Sequence, residues 1–178
     1  MHGRARILFV GLLTFFAVSL GQVRAEDDTS YKADFITKLF DYVQWPAGAG
    51  VDSNGSAVVG VLGDCPLVAA LKTATAEISA NRKQIKVKVV SLADPLTDCA
   101  VLVLPTTDKT ELAKALKKVA ASPVLTVGDC AGFAGFGVMV NFFKEEGSGK
   151  VKFEINNLAA GDAKLKFSSQ LLKLAKII

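Results

Sequence analysis

Short apolar runs of strand length alternate with amphipathic stretches of helical period along residues 31–178. The runs 57–62 (AVVGVL), 100–104 (AVLVL) and 123–127 (PVLTV) carry no charge and read as strands covered on both faces. The run 85–90 (IKVKVV) alternates apolar with basic residues and reads as a half-exposed edge strand. Residues 138–143 and 151–155 flank Glu145-Glu146-Gly147-Ser148-Gly149, which is a hairpin signal. Helical periodicity fills the intervals. Residues 31–44 place Phe35, Leu39, Tyr42 and Val43 on one stripe, with Thr29 or Ser30 as cap and Pro46 as stop. A second helix follows Gly63-Asp64-Cys65-Pro66, and a third, with a lysine face, covers 109–121. Asn156 or Asn157 caps a helix through residue 163, and 168–178 is the last helix. The pattern predicts a three-layer α/β fold: a mostly parallel sheet flanked by helices, with a C-terminal antiparallel hairpin edge.

A different pattern precedes this one. Arg4 and Arg6 stand before the uncharged run 7–20 (ILFVGLLTFFAVSL), and Val23-Arg24-Ala25 offers small residues at a cleavage site. A membrane helix needs about 20 apolar residues, so the run is short for a span. Residues 1–25 are therefore expected to be a secretion signal and 26–178 a single exported domain, with no stable membrane insertion after cleavage.

Cleavage changes the charge. The chain has 21 Lys+Arg against 17 Asp+Glu; Arg4, Arg6 and Arg24 leave with the signal, so 18 face 17 and the net charge falls from +4 to +1. No concentrated positive surface is left for nucleic acid. The only histidine, His2, leaves too. A chain without histidine has no Ser-His-Asp or Cys-His mechanism, no histidine metal site and no histidine pH switch. No catalytic residue, metal set or cofactor is expected.

Three cysteines follow the signal: Cys65, Cys99 and Cys130. An oxidising compartment favours pairing, and three pairings are open. Cys65 and Cys130 each follow a strand directly after Gly-Asp, which puts both at the carboxyl edge of a parallel sheet. Cys99 precedes its strand, and a five-residue strand spans about 16 Å, well beyond disulfide reach. A Cys65–Cys130 bridge is therefore expected, with Cys99 a small buried residue. A thiol-redox enzyme is disfavoured because the chain lacks a Cys-x-x-Cys pair.

Three segments carry a family resemblance. One is Tyr31-Lys32-Ala33-Asp34-Phe35 through Val43-Gln44-Trp45-Pro46. Another is Val124-Leu125-Thr126-Val127-Gly128-Asp129 with Gly132-Phe133 and Gly137-Val138-Met139. The last is Phe153-Glu154-Ile155-Asn156 leading to 165–175 (LKFSSQLLKLA). In this order, behind a signal peptide, they resemble the YfiR-like family of secreted bacterial proteins across the exported chain. The resemblance implies a periplasmic regulator that does no chemistry. Its partner would be the periplasmic domain of an inner-membrane diguanylate cyclase, held off by binding, or of a sensor kinase; a homodimer is also implied. It further implies cysteines at the start of the first and third strands. Cys99 matches the second of these, and the first falls near Gly60, so that family bridge is absent here.

Other residues have plainer expected roles. Asp64 caps a helix and Asp129 stabilises a turn rather than forming a catalytic carboxylate pair. The glycine-rich stretch 128–137 is followed by a strand, not a helix, so it reads as a tight connection rather than a phosphate loop. A carboxyl-edge crevice is the place for a small ligand if the chain is instead a sensor. Trp45 closes the core, and the lysines of 109–121 are a solvated face. Leu171, Leu174, Ala175 and Ile178 form one apolar face of the last helix, and Leu172 and Ile177 fall outside it. With Ile155 and Leu158 nearby, the residues Ile155, Leu158, Leu172 and Ile177 are the expected partner surface.

Overall fold

The computed structural model describes residues 20–51, 54–79 and 84–178. Helix α1 (Leu20–Tyr42) leads through β1 (Val43–Gln44) to β2 (Ser56–Leu62), α2 (Pro66–Ser79), β3 (Gln84–Val90) and β4 (Val101–Leu104). Helix α3 (Lys109–Val119) and β5 (Leu125–Gly128) follow. The C-terminal part adds β6 (Val140–Lys144), β7 (Val151–Ile155), α4 (Asn157–Asp162), β8 (Lys166–Phe167), α5 (Ser169–Leu174) and β9 (Lys176–Ile177). A seven-stranded sheet has the order β3-β2-β4-β5-β6-β7-β9, and β1 pairs with β8 in a separate antiparallel ribbon. Neighbours from β3 to β6 are parallel, β6 and β7 are antiparallel, and β9 is parallel to β7. The fold is the expected mixed α/β one, with a mostly parallel sheet flanked by helices.

Strand β4 shows why its run is unbroken. Val101 and Val103 join one core, Leu102 and Leu104 the other, and none is more than 1% exposed. On the first face they share a core with Ile36 and Leu39 of α1, Leu71 of α2 and Leu171 of α5. On the second they meet Leu112, Ala115 and Val119, one helical stripe of α3. Asp108 caps α3 by accepting from the Thr110 N–H at 2.7 Å.

The crossovers follow from handedness. A right-handed connection stepping from β2 out to β3 lies on the opposite face from one stepping from β4 to β5. Hence α2 covers one face and α3 the other. The return from β3 to β4 breaks the pattern: residues 91–100 hold only the 3-10 turn Leu96–Asp98. This segment packs on the α3 face through buried Leu96 and Cys99. Gly60 on β2 makes room for it, because a Cβ there would sit 2.5 Å from Cys99 Sγ.

Two expectations about element bounds change. Among the described residues α1 is already helical from Leu20, not only from near residue 31, so the expected cleavage point after Ala25 falls within it. Residues 20–30 contain no proline and one glycine, so nothing stops the helix from extending. Residues 1–19 of the expected 1–25 signal lie outside the described residues. The last helix ends at Leu174 rather than continuing to 178. The chain turns extended at Ala175 (φ −92°, ψ 152°), and Lys176 and Ile177 pair with Glu154 and Ile155. Pairing satisfies the open edge of β7, and the Ile178 N–H donates to Ile155 O at 3.1 Å. The β6–β7 hairpin forms as expected, but β9, not β7, is therefore the edge strand.

Gly60→Ala should destabilise the fold by about 1–3 kcal/mol through overpacking against Cys99. Combined with Cys99→Ala, which removes the clashing sulfur, it should cost less than the sum of the two single changes. A double-mutant cycle by urea denaturation measures this coupling.

Candidate functional site

A polar row crosses the C-terminal half of the sheet. Gly128, Asn141, Glu154 and Lys176 are successive cross-strand partners on β5, β6, β7 and β9. Val140 and Phe142 point into the first core, so Asn141 between them faces the α3 side. Asn141 is fully buried, and its Nδ2 donates to Glu154 Oε1 at 3.0 Å and to Cys130 O at 2.9 Å. Glu154 is only 6% exposed, and its Oε2 lies 3.5 Å from Lys176 Nζ. Gly128 permits the close approach, since a Cβ there would lie 2.6 Å from Asn141 Oδ1. The row therefore ties the last strand to the loop after β5. Its carboxylate is committed to an amide and an ammonium, which is a structural arrangement rather than an acid–base one.

Two ion pairs anchor helix α1 to the carboxyl ends of β5 and β6. Lys32 Nζ lies 2.7 Å from Asp129 Oδ1, and Lys144 Nζ lies 2.8 Å from Asp28 Oδ2. Asp129, expected to stabilise a turn, thus holds a helix, while Asp64 stands exposed at the end of β2. The glycine-rich stretch is a tight connection: Gly132 (φ 83°) and Gly137 (φ 103°) flank the 3-10 turn Phe133–Phe136. Trp45 stacks on Phe40 with centroids 5.4 Å apart and packs against the first core. Among the described residues, no group of three or more His, Cys, Asp or Glu is placed to hold a metal.

Where α1, β7 and α5 meet, the surface is apolar and concave. A groove of about 380 Å³ is lined by Tyr31, Phe35 and Tyr42 of α1, Phe153 of β7 and Leu174 of α5, with Lys38 at its side. Phe35 forms the floor, with ring centroids 4.4 Å from Phe153 and 5.4 Å from Phe142. Tyr31 is 44% exposed, Tyr42 36% and Leu174 76%. Large apolar side chains this open on a concave surface make the groove the candidate interaction site.

The expected partner residues separate. Leu158 and Ile177 are exposed, Leu172 is half-buried against the core, and Ile155 is fully buried. Ile155 lies in the first core on a strand covered at its outer edge by β9, so it offers no surface of its own. The groove uses residues that the expected set omits. Tyr31, Phe35, Lys38 and Tyr42 follow the i, i+4, i+7, i+11 spacing of one helix face, a second stripe on α1 that the sequence displays. Leu174 reaches the groove because α5 ends there.

All three thiols are free, and the expected Cys65–Cys130 bridge is not formed. Cys65 packs against the first core and Cys130 against the second, so the sheet lies between them. Cys99 is buried, and desolvation, reinforced by the Asp98 carboxylate, pushes its thiol above the ordinary range.

Replacing Lys176 with methionine should loosen β9 and cost about 1–2 kcal/mol, because Glu154 loses its counter-charge. Urea denaturation reads the loss, and faster amide exchange at Ile178 locates it. In the native state, iodoacetamide should modify Cys65 and Cys130 before Cys99. The Cys99 rate should climb only at pH above that of an ordinary thiol, because its thiolate is suppressed; peptide mapping of alkylated protein across pH checks both.

The chain matches the YfiR/HmsC-like family over residues 29–176, from within α1 to β9. No curated protein matches it. No helix among the described residues is long and apolar enough to cross a membrane. The match spans most of the 178 residues, and the chain belongs to the YfiR/HmsC-like family.

Proposed function

We propose that this chain is a non-enzymatic periplasmic regulator, exported by a cleaved signal over residues 1–25. It binds the periplasmic sensory domain of an inner-membrane diguanylate cyclase and holds the enzyme off. Membership of the YfiR/HmsC-like family is consistent with that role. The observation that carries the reading is the groove between α1 and α5, where Tyr31, Tyr42 and Leu174 stand open around a Phe35 floor.

Repression of this kind is a difference in affinity. A regulator shifts an enzyme only if it binds the inactive state better than the active one. Moving a two-state sensor from mostly active to mostly inactive takes about a 10⁴-fold preference, or about 5.5 kcal/mol. Buried aromatic and aliphatic anchors each contribute about 2 kcal/mol or more at the centre of an interface, so a few suffice. A second copy of the chain is the other partner of this reading, using the same exposed C-terminal surface.

Crosslinking of the tagged protein in its native cells, followed by mass spectrometry, should capture an inner-membrane cyclase. Leu174→Asp should abolish capture and raise cyclic di-GMP, while thermal stability changes little because the side chain is mostly exposed. Unchanged cyclic di-GMP on deletion of an abundant, exported protein would overturn the proposal.

A further inference from the structure

The amino edge of the sheet holds a second concavity of different chemistry. It is a polar cleft of about 440 Å³ between the Gly48–Val51 turn, the start of β2, strand β3 and the segment Thr97–Ala100. Its origin lies in the crossover described above. A parallel connection usually carries a helix that covers the strand it passes. Here residues 91–100 form a thin loop, so the α3 face of β3 is left without a helical layer.

Two cations stand on that uncovered face. Lys86 and Lys88 alternate with Ile85 and Val87, which turn toward the first core. In register, Lys86 lies beside Val58 and Lys88 beside Gly60. Residues two apart on a strand are separated by about 7 Å and share one face. The lysines are exposed, and neither has a carboxylate partner among the described residues. Asp98 lines the cleft without pairing with either of them. Lysines on an edge strand discourage strand pairing, but that role needs no cleft beside them.

We infer that this amino-edge cleft binds a small anionic metabolite, with its phosphate or carboxylate held between Lys86 and Lys88. Two neighbouring ammonium groups repel one another, and an anion shared between them removes that repulsion while gaining charge-assisted hydrogen bonds. Asp98 on the facing wall accepts from a hydroxyl or amine of the same ligand and selects against bare polyanions. The site is separate from the groove of α1 and α5, and it stands whether or not that groove binds a cyclase.

The test uses protein purified from cells expressing the whole chain, with inorganic phosphate, glycerol 3-phosphate and succinate as probes and glycerol as the neutral control. Nitrogen–proton spectra should show saturable shifts at the amides of Gly60, Lys88 and Thr97 with a Kd below about 1 mM. The tighter arm distinguishes a phosphate from a carboxylate ligand. Lys86→Gln with Lys88→Gln should weaken binding by at least about tenfold, the loss of one decade in Kd, and the single variants give the same reading if the pair does not fold. Absence of saturable shifts with every charged probe, or an affinity unchanged by both substitutions, would overturn the inference.

Discussion

A parallel strand cannot be followed directly by its neighbour; the chain must return over a face of the sheet first. Much of this molecule follows from how it makes those returns. Stepping outward from β2 to β3 and then the other way from β4 to β5 sends α2 and α3 to opposite faces. Both faces are then covered, and β4 and β5 are buried throughout. Two cores result, one under α1, α2 and α5 and the other under α3. Two returns are made without an α-helix, over residues 91–100 and 129–139, and the first of them requires a glycine at position 60 and leaves the lysines of β3 uncovered.

The C-terminal end is governed by a competition between helix and sheet. Residues after Leu174 could have added another helical turn, but β7 had unpaired backbone groups along its outer edge. Pairing with β9 satisfies those at Glu154 and Ile155, and the Glu154–Lys176 contact adds a charge interaction at the same register position. The consequence is functional geometry. Because α5 stops at Leu174, that leucine is left pointing outward beside Tyr31 and Tyr42 rather than packed into a continuing helix. The polar row through Asn141 then links the last strand to the Cys130 loop, so the edge of the sheet and the loop after β5 are held as one unit.

The cysteines show how a topological expectation can be correct in one dimension and fail in another. Cys65 and Cys130 both follow parallel strands, as their Gly-Asp contexts indicate. Edge position alone does not decide pairing, however, since the side chains also choose a face. Cys65 turns to one core and Cys130 to the other, and a sheet with side chains on both sides is too thick for a disulfide to cross. Cys99 is shielded and kept protonated by burial, so it serves packing over Gly60.

The sequence by itself determined the fold class, strands β2 to β7 of the main sheet and the two-sided burial of β2, β4 and β5, because continuous apolar runs have no polar side to turn to water. It also carried the α1 stripe of Tyr31, Phe35, Lys38 and Tyr42, although the neighbouring core stripe of the same helix obscured it. Only the tertiary structure decided that Ile155 is core while Leu174 is surface, that Asp129 meets Lys32 on α1, and that Asn141 and Glu154 form a buried polar row. Local pattern records how apolar each position is and its period along the chain. It does not record which distant strand supplies a neighbour, and for these residues exposure and partners depend on that neighbour.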